Sequence, residues 1–191
     1  GLCRFWFSYR VRGLHHSPYV KTATASEQLI RINPTEVLSL PEGSWGENNN
    51  HDVWSNEGNK WTWEVIYNNE NRLREIFEEF SIGSIDEKGE IQLQSSENKL
   101  SELSLRILKQ ALREFMLLDS SDWQFLIHTQ SAKDYSEQRF MFHNSDFNKL
   151  CDLAMKYRDT ELLEENDRNY LEETEKRNSI FPELQLEWWR E

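Results

Sequence analysis

Apolar side chains recur at helical spacing along most of the chain. Leu100, Leu103, Ile107, Ala111, Phe115 and Leu118 repeat every three or four positions, which puts them on one face of an α-helix. Ile66, Leu73, Ile76, Phe77 and Phe80 form a second stripe over residues 61–80, with Glu and Arg on the opposite side. A third long helix is predicted over 132–157, presenting Tyr135, Phe142, Leu150 and Leu153, after a short amphipathic turn at 119–128. Residues 160–177 are helical by composition with a narrow apolar face, and 184–189 read as an extended tail. Near the start, Thr24-Ala25-Ser26-Glu27 has the spacing of a capping box and opens a helix that must stop near Pro34. Between these segments the periodicity disappears. Residues 41–60, with Pro41, Gly43, Gly46, Gly58 and Asn48-Asn49-Asn50, read as loop, as do 81–95 with Gly83 and Gly89. The pattern predicts a mainly α protein, a helical bundle behind an irregular N-terminal region.

Composition narrows the choice of function. The chain has 191 residues, and at 37% hydrophobic content its apolar surface is concentrated in aromatics, which reach 13% and include 8 Trp. A formal net charge of −12 argues against a partner made of duplex nucleic acid, because phosphates would be repelled. No apolar run approaches the roughly 18 residues of a membrane helix, so no membrane partner is expected. Two cysteines, Cys3 and Cys151, are too few for a disulfide scaffold, and a reducing cytoplasm is the expected location. The charge is uneven: residues 1–40 carry five basic and two acidic side chains, whereas 158–191 carry eleven acids against five bases. That shift fits a packed region giving way to a solvated one.

The chemistry on offer is limited. The five histidines do not pair at metal-ligand spacing, no HExxH, CxxC or phosphate-cradling glycine loop occurs, and neither a metal nor a cofactor is expected. Cys151 lies in an apolar helical stretch and reads as core. Glu42 with Glu47 or Asp52 would supply the two carboxyl groups of glycoside hydrolysis, yet among 34 acidic residues such pairs arise by chance. Asp119, Asp122 and Trp123 cluster where a helix begins, and capping by Ser120, Ser121 or Asp122 accounts for them without catalysis. The tryptophans are the clearest signal. Trp45, Trp54, Trp61 and Trp63 fall in or beside the Gly- and Asn-containing loop. Indole faces stack on the C–H faces of sugar rings while Asn, Asp and Glu bond hydroxyls, so Trp45 with Glu47, and Trp54 with Asp52 and Asn56, suit a saccharide. The alternative is that these indoles simply cover the bundle core.

Leu40-Pro41-Glu42-Gly43-Ser44-Trp45-Gly46-Glu47, His51-Asp52-Val53-Trp54-Ser55-Asn56 and Trp61-Thr62-Trp63 together resemble glycoside hydrolase family 57, in its 1,4-alpha-glucan branching enzyme type. The likeness continues through Ala111-Leu112-Arg113-Glu114, Leu117-Leu118, Ser121-Asp122-Trp123-Gln124-Phe125-Leu126 and Phe181-Pro182-Glu183-Leu184, and so covers most of the chain. Upstream, the segment from Thr24 to Leu29 is similar to the helix preceding that family's tryptophan loop.

The resemblance implies the last edge of a distorted (β/α)7 barrel followed by the helical domain that closes over the active site. On that basis residues 1–40 are expected to be a barrel-edge remnant, 41–64 a tryptophan-rich substrate loop and 65–191 the helical C-terminal domain. Trp45 and Trp54 would line a cleft for an alpha-glucan or maltooligosaccharide, with Asp122 helping from the helical side. The implied chemistry is retaining, with a glutamate nucleophile and an aspartate acid/base. No residue of this sequence is matched to either role. Arg4-Phe5-Trp6-Phe7 resembles a remainder of the motif that follows the aspartate, which would put that residue just before Gly1. Where the family carries glycines after Ser-Trp-Gly-Glu, this chain has Asn48-Asn49-Asn50. The expected protein is therefore part of a branching enzyme, inactive as this isolated chain, whose partner is an N-terminal catalytic barrel of the same polypeptide. Two alternatives are a non-catalytic glucan-binding or interaction module and a decayed fragment without function.

Overall fold

The computed structural model of the chain describes residues 23–32, 36, 38–39, 41, 43–80, 82 and 100–189, with the backbone alone for Glu47, Glu187 and Trp188. It divides into two compact units, Gly1–Asn50 and His51–Glu191. In the first, α1 (Ala25–Arg31) opens with the capping box expected from its sequence. The Thr24 hydroxyl accepts from the Glu27 N–H at 3.2 Å, and the Glu27 carboxylate accepts from the Thr24 N–H at 2.7 Å. None of its residues is buried. Most of the expected barrel-edge remnant lies outside the described residues, as do Cys3, Arg4-Phe5-Trp6-Phe7 and the loop at 83–95. Among the described residues there is no strand.

The second unit contains α2 (Lys60–Glu79), α3 (Glu102–Leu118), α4 (Asp122–Thr129), α5 (Lys133–Lys156) and α6 (Glu165–Arg177). Side-chain pairs fix their directions. Trp61 meets Phe140, Asn69 meets Asn144 and Asn148, and Arg158 meets Glu79, so α2 and α5 ascend together. Asp146 holds both Tyr170 and Arg177 while Lys156 holds Asp167, so α6 runs back against α5. Gln110 and Glu114 of α3 reach Thr174 and Asn178 in the same order, which aligns α3 with α6. The four long helices form an up-down-up-down bundle, with α4 set in the connection from α3 to α5.

The stripes read from the sequence make its interior. Leu73 and Phe77 from α2, Ile107 and Phe115 from α3, and Phe147 and Leu150 from α5 are at most 1% exposed. Burying each such side chain contributes roughly 1.5–3 kcal/mol. The α2–α5 seam is polar instead: Asn69, Asn144 and Asn148 bond one another, and Arg72 bridges Asn148 and Asp152.

Two expectations are corrected. On α5 the inward face is Phe140, His143, Phe147, Leu150 and Leu153, while Tyr135 and Phe142 are 57% and 50% exposed. Phe140, Met141 and Phe142 are consecutive and cannot all point one way, and His143 turns inward because a buried carboxylate receives it. The final segment is not an extended tail: Leu184 and Leu186 are buried, Leu186–Trp189 forms a 3₁₀ turn, and Trp189 meets Phe115 edge-on at 4.9 Å.

Candidate functional site

Trp45 lies in the first unit, on the turn 43–50. Its side chain is 75% exposed. The turn is closed by the Ser44 N–H donating to the Asn49 carbonyl at 3.3 Å and by the Ser44 hydroxyl donating to the Asn50 carbonyl. Asn48 and Asn49 have φ of 59° and 58°, the left-handed region that favours glycine and that asparagine tolerates better than other side chains. Asn48 and Asn49 thus follow a path for which glycine would otherwise be the ordinary choice, while Asn50 returns to extended backbone at φ −110°.

Trp54 belongs to the second unit, on the turn that precedes α2. Its ring is half-buried and tilts against Phe125 of α4 at 6.2 Å. The Trp63 indole N–H donates to the Trp54 carbonyl at 2.7 Å. Asn56 is engaged within the turn: its amide donates to the Asp52 carbonyl at 2.6 Å and meets His128 Nδ1 at 3.1 Å, and its Oδ1 accepts from the Gly58 N–H. It is therefore a brace for the turn and has little capacity left for a sugar hydroxyl. Trp61 and Trp63 stand on the first turn of α2, where the Trp61 indole donates to the Gly58 carbonyl and Trp63 stacks on Tyr67 at 6.1 Å.

Asp122 is exposed in the first turn of α4, where it accepts from the Ser120 hydroxyl at 3.4 Å. No side chain caps this helix, although the Asp122 charge is favourable beside its N-terminal N–H groups. Trp123 is pinned by donating to the Leu117 carbonyl at 2.7 Å and stacks on His143 at 6.1 Å. Asp119, at the end of α3, is only partly exposed. Burial, with the Glu70 charge nearby, pushes its carboxyl up to about 6.

Behind Trp123 lies a buried polar cluster absent from the sequence reading. Glu114 is fully buried and accepts from Gln110 at 2.9 Å, from Asn178 at 2.8 and 3.0 Å, and from His143 Nδ1 at 2.8 Å. Arg139 donates to His143 Nε2 at 3.1 Å, which leaves the imidazole proton on Nδ1 facing the carboxylate. The signal was present in the sequence, since Glu114 falls on the same helical face as Ile107, Ala111 and Leu118. An acid in an apolar stripe needs a partner. Here it joins α3, α5 and the residue that ends α6.

The second unit brings Trp54 and Asp122 onto neighbouring elements, the turn and α4, which meet through the Trp54–Phe125 contact. A hollow of about 600 Å³ lined by Arg72, Glu75, Ile76, Glu78, Glu79 and Met155 opens at the opposite end of α2 from Trp54. Among the described residues no three His, Cys, Asp or Glu side chains converge as metal ligands, and no helix is long and apolar enough to cross a membrane.

Residues 86–189, more than half of the chain, match the family described as 1,4-alpha-glucan branching enzyme, C-terminal. A 1,4-alpha-glucan branching enzyme from Thermococcus kodakarensis is 36% identical over 173 residues, which cover 90% of this chain and 23% of that enzyme. The crystal structure of a family 57 branching enzyme from Pyrococcus horikoshii superposes with a TM-score of 0.65 at 30% identity, covering 91% of this chain and 29% of that one. The Thermococcus enzyme, crystallised with glucose and additives, gives 0.63 at 32% identity, covering 90% and 28%. The chain thus spans about a quarter of the length of the relatives it matches. It belongs to the C-terminal domain family of the glycoside hydrolase family 57 branching enzymes.

Proposed function

We propose that this chain is the glucan-holding helical part of a 1,4-alpha-glucan branching enzyme. In this reading Trp45 and Trp54 stack on glucose units, Asp122 bonds a hydroxyl, and glycosyl transfer needs a catalytic barrel that supplies both carboxylates. The observation that carries it is the presentation of Trp54. A large indole is left half-buried on a turn braced by the side chains of Asn56, Asn59 and Trp63, which is what a preformed stacking platform requires. Aromatic walls also suit a transferase, because excluding water from a glycosyl-enzyme lets a glucan hydroxyl attack in its place. The segment 41–64 supplies the two tryptophans, and 65–191 is the helical domain, whose Phe125 meets Trp54. The cytoplasm is the proposed location, since its reducing conditions suit a chain with two cysteines.

Calorimetric titration of the chain with maltoheptaose tests this. A dissociation constant between about 1 μM and 1 mM is expected, equivalent to roughly −8 to −4 kcal/mol, weakened by Trp54→Ala and by Trp45→Ala. Absence of binding overturns the glucan reading. New α-1,6 branches formed on amylose by the chain alone would overturn the requirement for a barrel.

A further inference from the structure

Two struts tie the Trp54 turn to α4, the helix headed by Asp122. The first is Asn59, which has no exposed surface. Its Nδ2 donates to the Val53 carbonyl at 3.0 Å and to the Gln124 carbonyl at 3.3 Å, while its Oδ1 accepts from the Asn56 N–H at 2.8 Å. One amide group therefore holds both sides of the turn and reaches across to α4. The second strut is the contact from Asn56 Nδ2 to His128 Nδ1 at 3.1 Å, near the other end of α4. Gln124 reinforces the joint from its own side by donating to the Thr62 hydroxyl at 3.0 Å.

We propose that Asn59 is a positioning residue that fixes the Trp54 platform relative to Asp122, with His128 as the second support. The inference rests on the glucan reading of Trp54 and names what gives that site its geometry. Asparagine suits the task because it supplies two donor hydrogens and an acceptor on a short, stiff stem; aspartate at the same place keeps the acceptor and loses both donors. A binding group held by packed, hydrogen-bonded neighbours loses little freedom when the ligand arrives, so loosening the turn raises the ordering cost of binding without removing any contact to the sugar.

The test is a double-mutant cycle with maltoheptaose as the probe, read by calorimetry and tryptophan emission. Asn59→Asp and His128→Ala are each made in the natural chain and in a Trp54→Ala background. The expected result is an approximately fivefold or greater loss of affinity in the natural background and no further loss once Trp54 is absent. Equal losses in both backgrounds would mean that the residues act through general stability and would overturn the proposal, as would unchanged affinity in both variants. Should Asn59→Asp fail to fold, His128→Ala, which alters a partly exposed side chain, decides alone. If Trp54→Ala by itself leaves the affinity unchanged, the glucan reading and this inference fall together. If Trp54→Ala weakens binding while the strut variants do not, only the positioning role fails.

Discussion

Removing the Glu114 carboxylate should destabilise the bundle more than any surface change, and the size of the effect follows from its partners. In Glu114→Ala, Gln110 keeps two nearby acceptors, the carbonyls of Thr174 and Asn178 at 3.3 and 3.4 Å. The Asn178 amide and His143 Nδ1 lose the acceptor they share and stay buried, at 7% and 1% exposure. Each stranded donor costs about 1–3 kcal/mol, and breaking a buried pair from one side typically costs about 3–5 kcal/mol. A loss near 4 kcal/mol lowers the melting temperature by roughly 8–16 °C for a domain of this size. Glu114→Gln keeps one acceptor but aims an N–H₂ at one of the donors, so about half the loss is expected. Replacing both members of the pair with Leu should cost less than the two single replacements together, because neither partner is then left charged or unsatisfied. Urea denaturation followed by circular dichroism and tryptophan emission measures all five variants, Glu114→Ala, Glu114→Gln, Glu114→Leu, His143→Leu and the double Leu replacement. A Glu114→Ala protein within about 1 kcal/mol of the natural one would refute the account of the cluster as a clamp between α3, α5 and the end of α6.

Asp119 gives a pH signature of the opposite sign to an ordinary ion-paired carboxylate. Its folded pKa of about 6 lies above the ordinary aspartate value of 3.8, so its contribution is most favourable below the lower value and is lost as pH rises through the upper one. Asp119→Asn should therefore stabilise the protein at pH 7.5, by about 1–2 kcal/mol after allowing for its contact with water, and leave stability at pH 4 nearly unchanged; thermal melts across pH 4–8 check this. Cys151 is fully buried, and desolvation pushes its thiol up to about 12, so in a Cys3→Ser background it should resist iodoacetamide until the bundle unfolds. Labelling that outpaces unfolding would contradict its placement in the core.

The long helices were legible because their apolar stripes are regular. Leu103, Ile107, Ala111, Phe115 and Leu118 reveal α3, and the Thr24 capping box marks the start of α1. Periodicity was less informative where polar groups are buried in pairs. Nothing local announces that His143 faces inward and Phe142 outward, since that depends on Glu114, 29 residues earlier in the chain. The same limit applied at the candidate site. Trp45, Trp54 and Asp122 stand out by residue type, whereas Asn59 and Gln124, which connect the turn to α4, look like ordinary loop and helix residues until the fold brings them together. The 3₁₀ turn of the tail was hidden for a related reason, because the Phe115 edge that receives Trp189 lies far away in sequence.

The indole N–H resonances of the chain, recorded during titration with maltoheptaose, test the central claim most directly. The account predicts that the Trp45 and Trp54 signals move progressively to saturation. Trp61 and Trp123, whose N–H groups are held by the Gly58 and Leu117 carbonyls, should stay in place. Shifts confined to Trp61 and Trp123, or none at any indole, would contradict it.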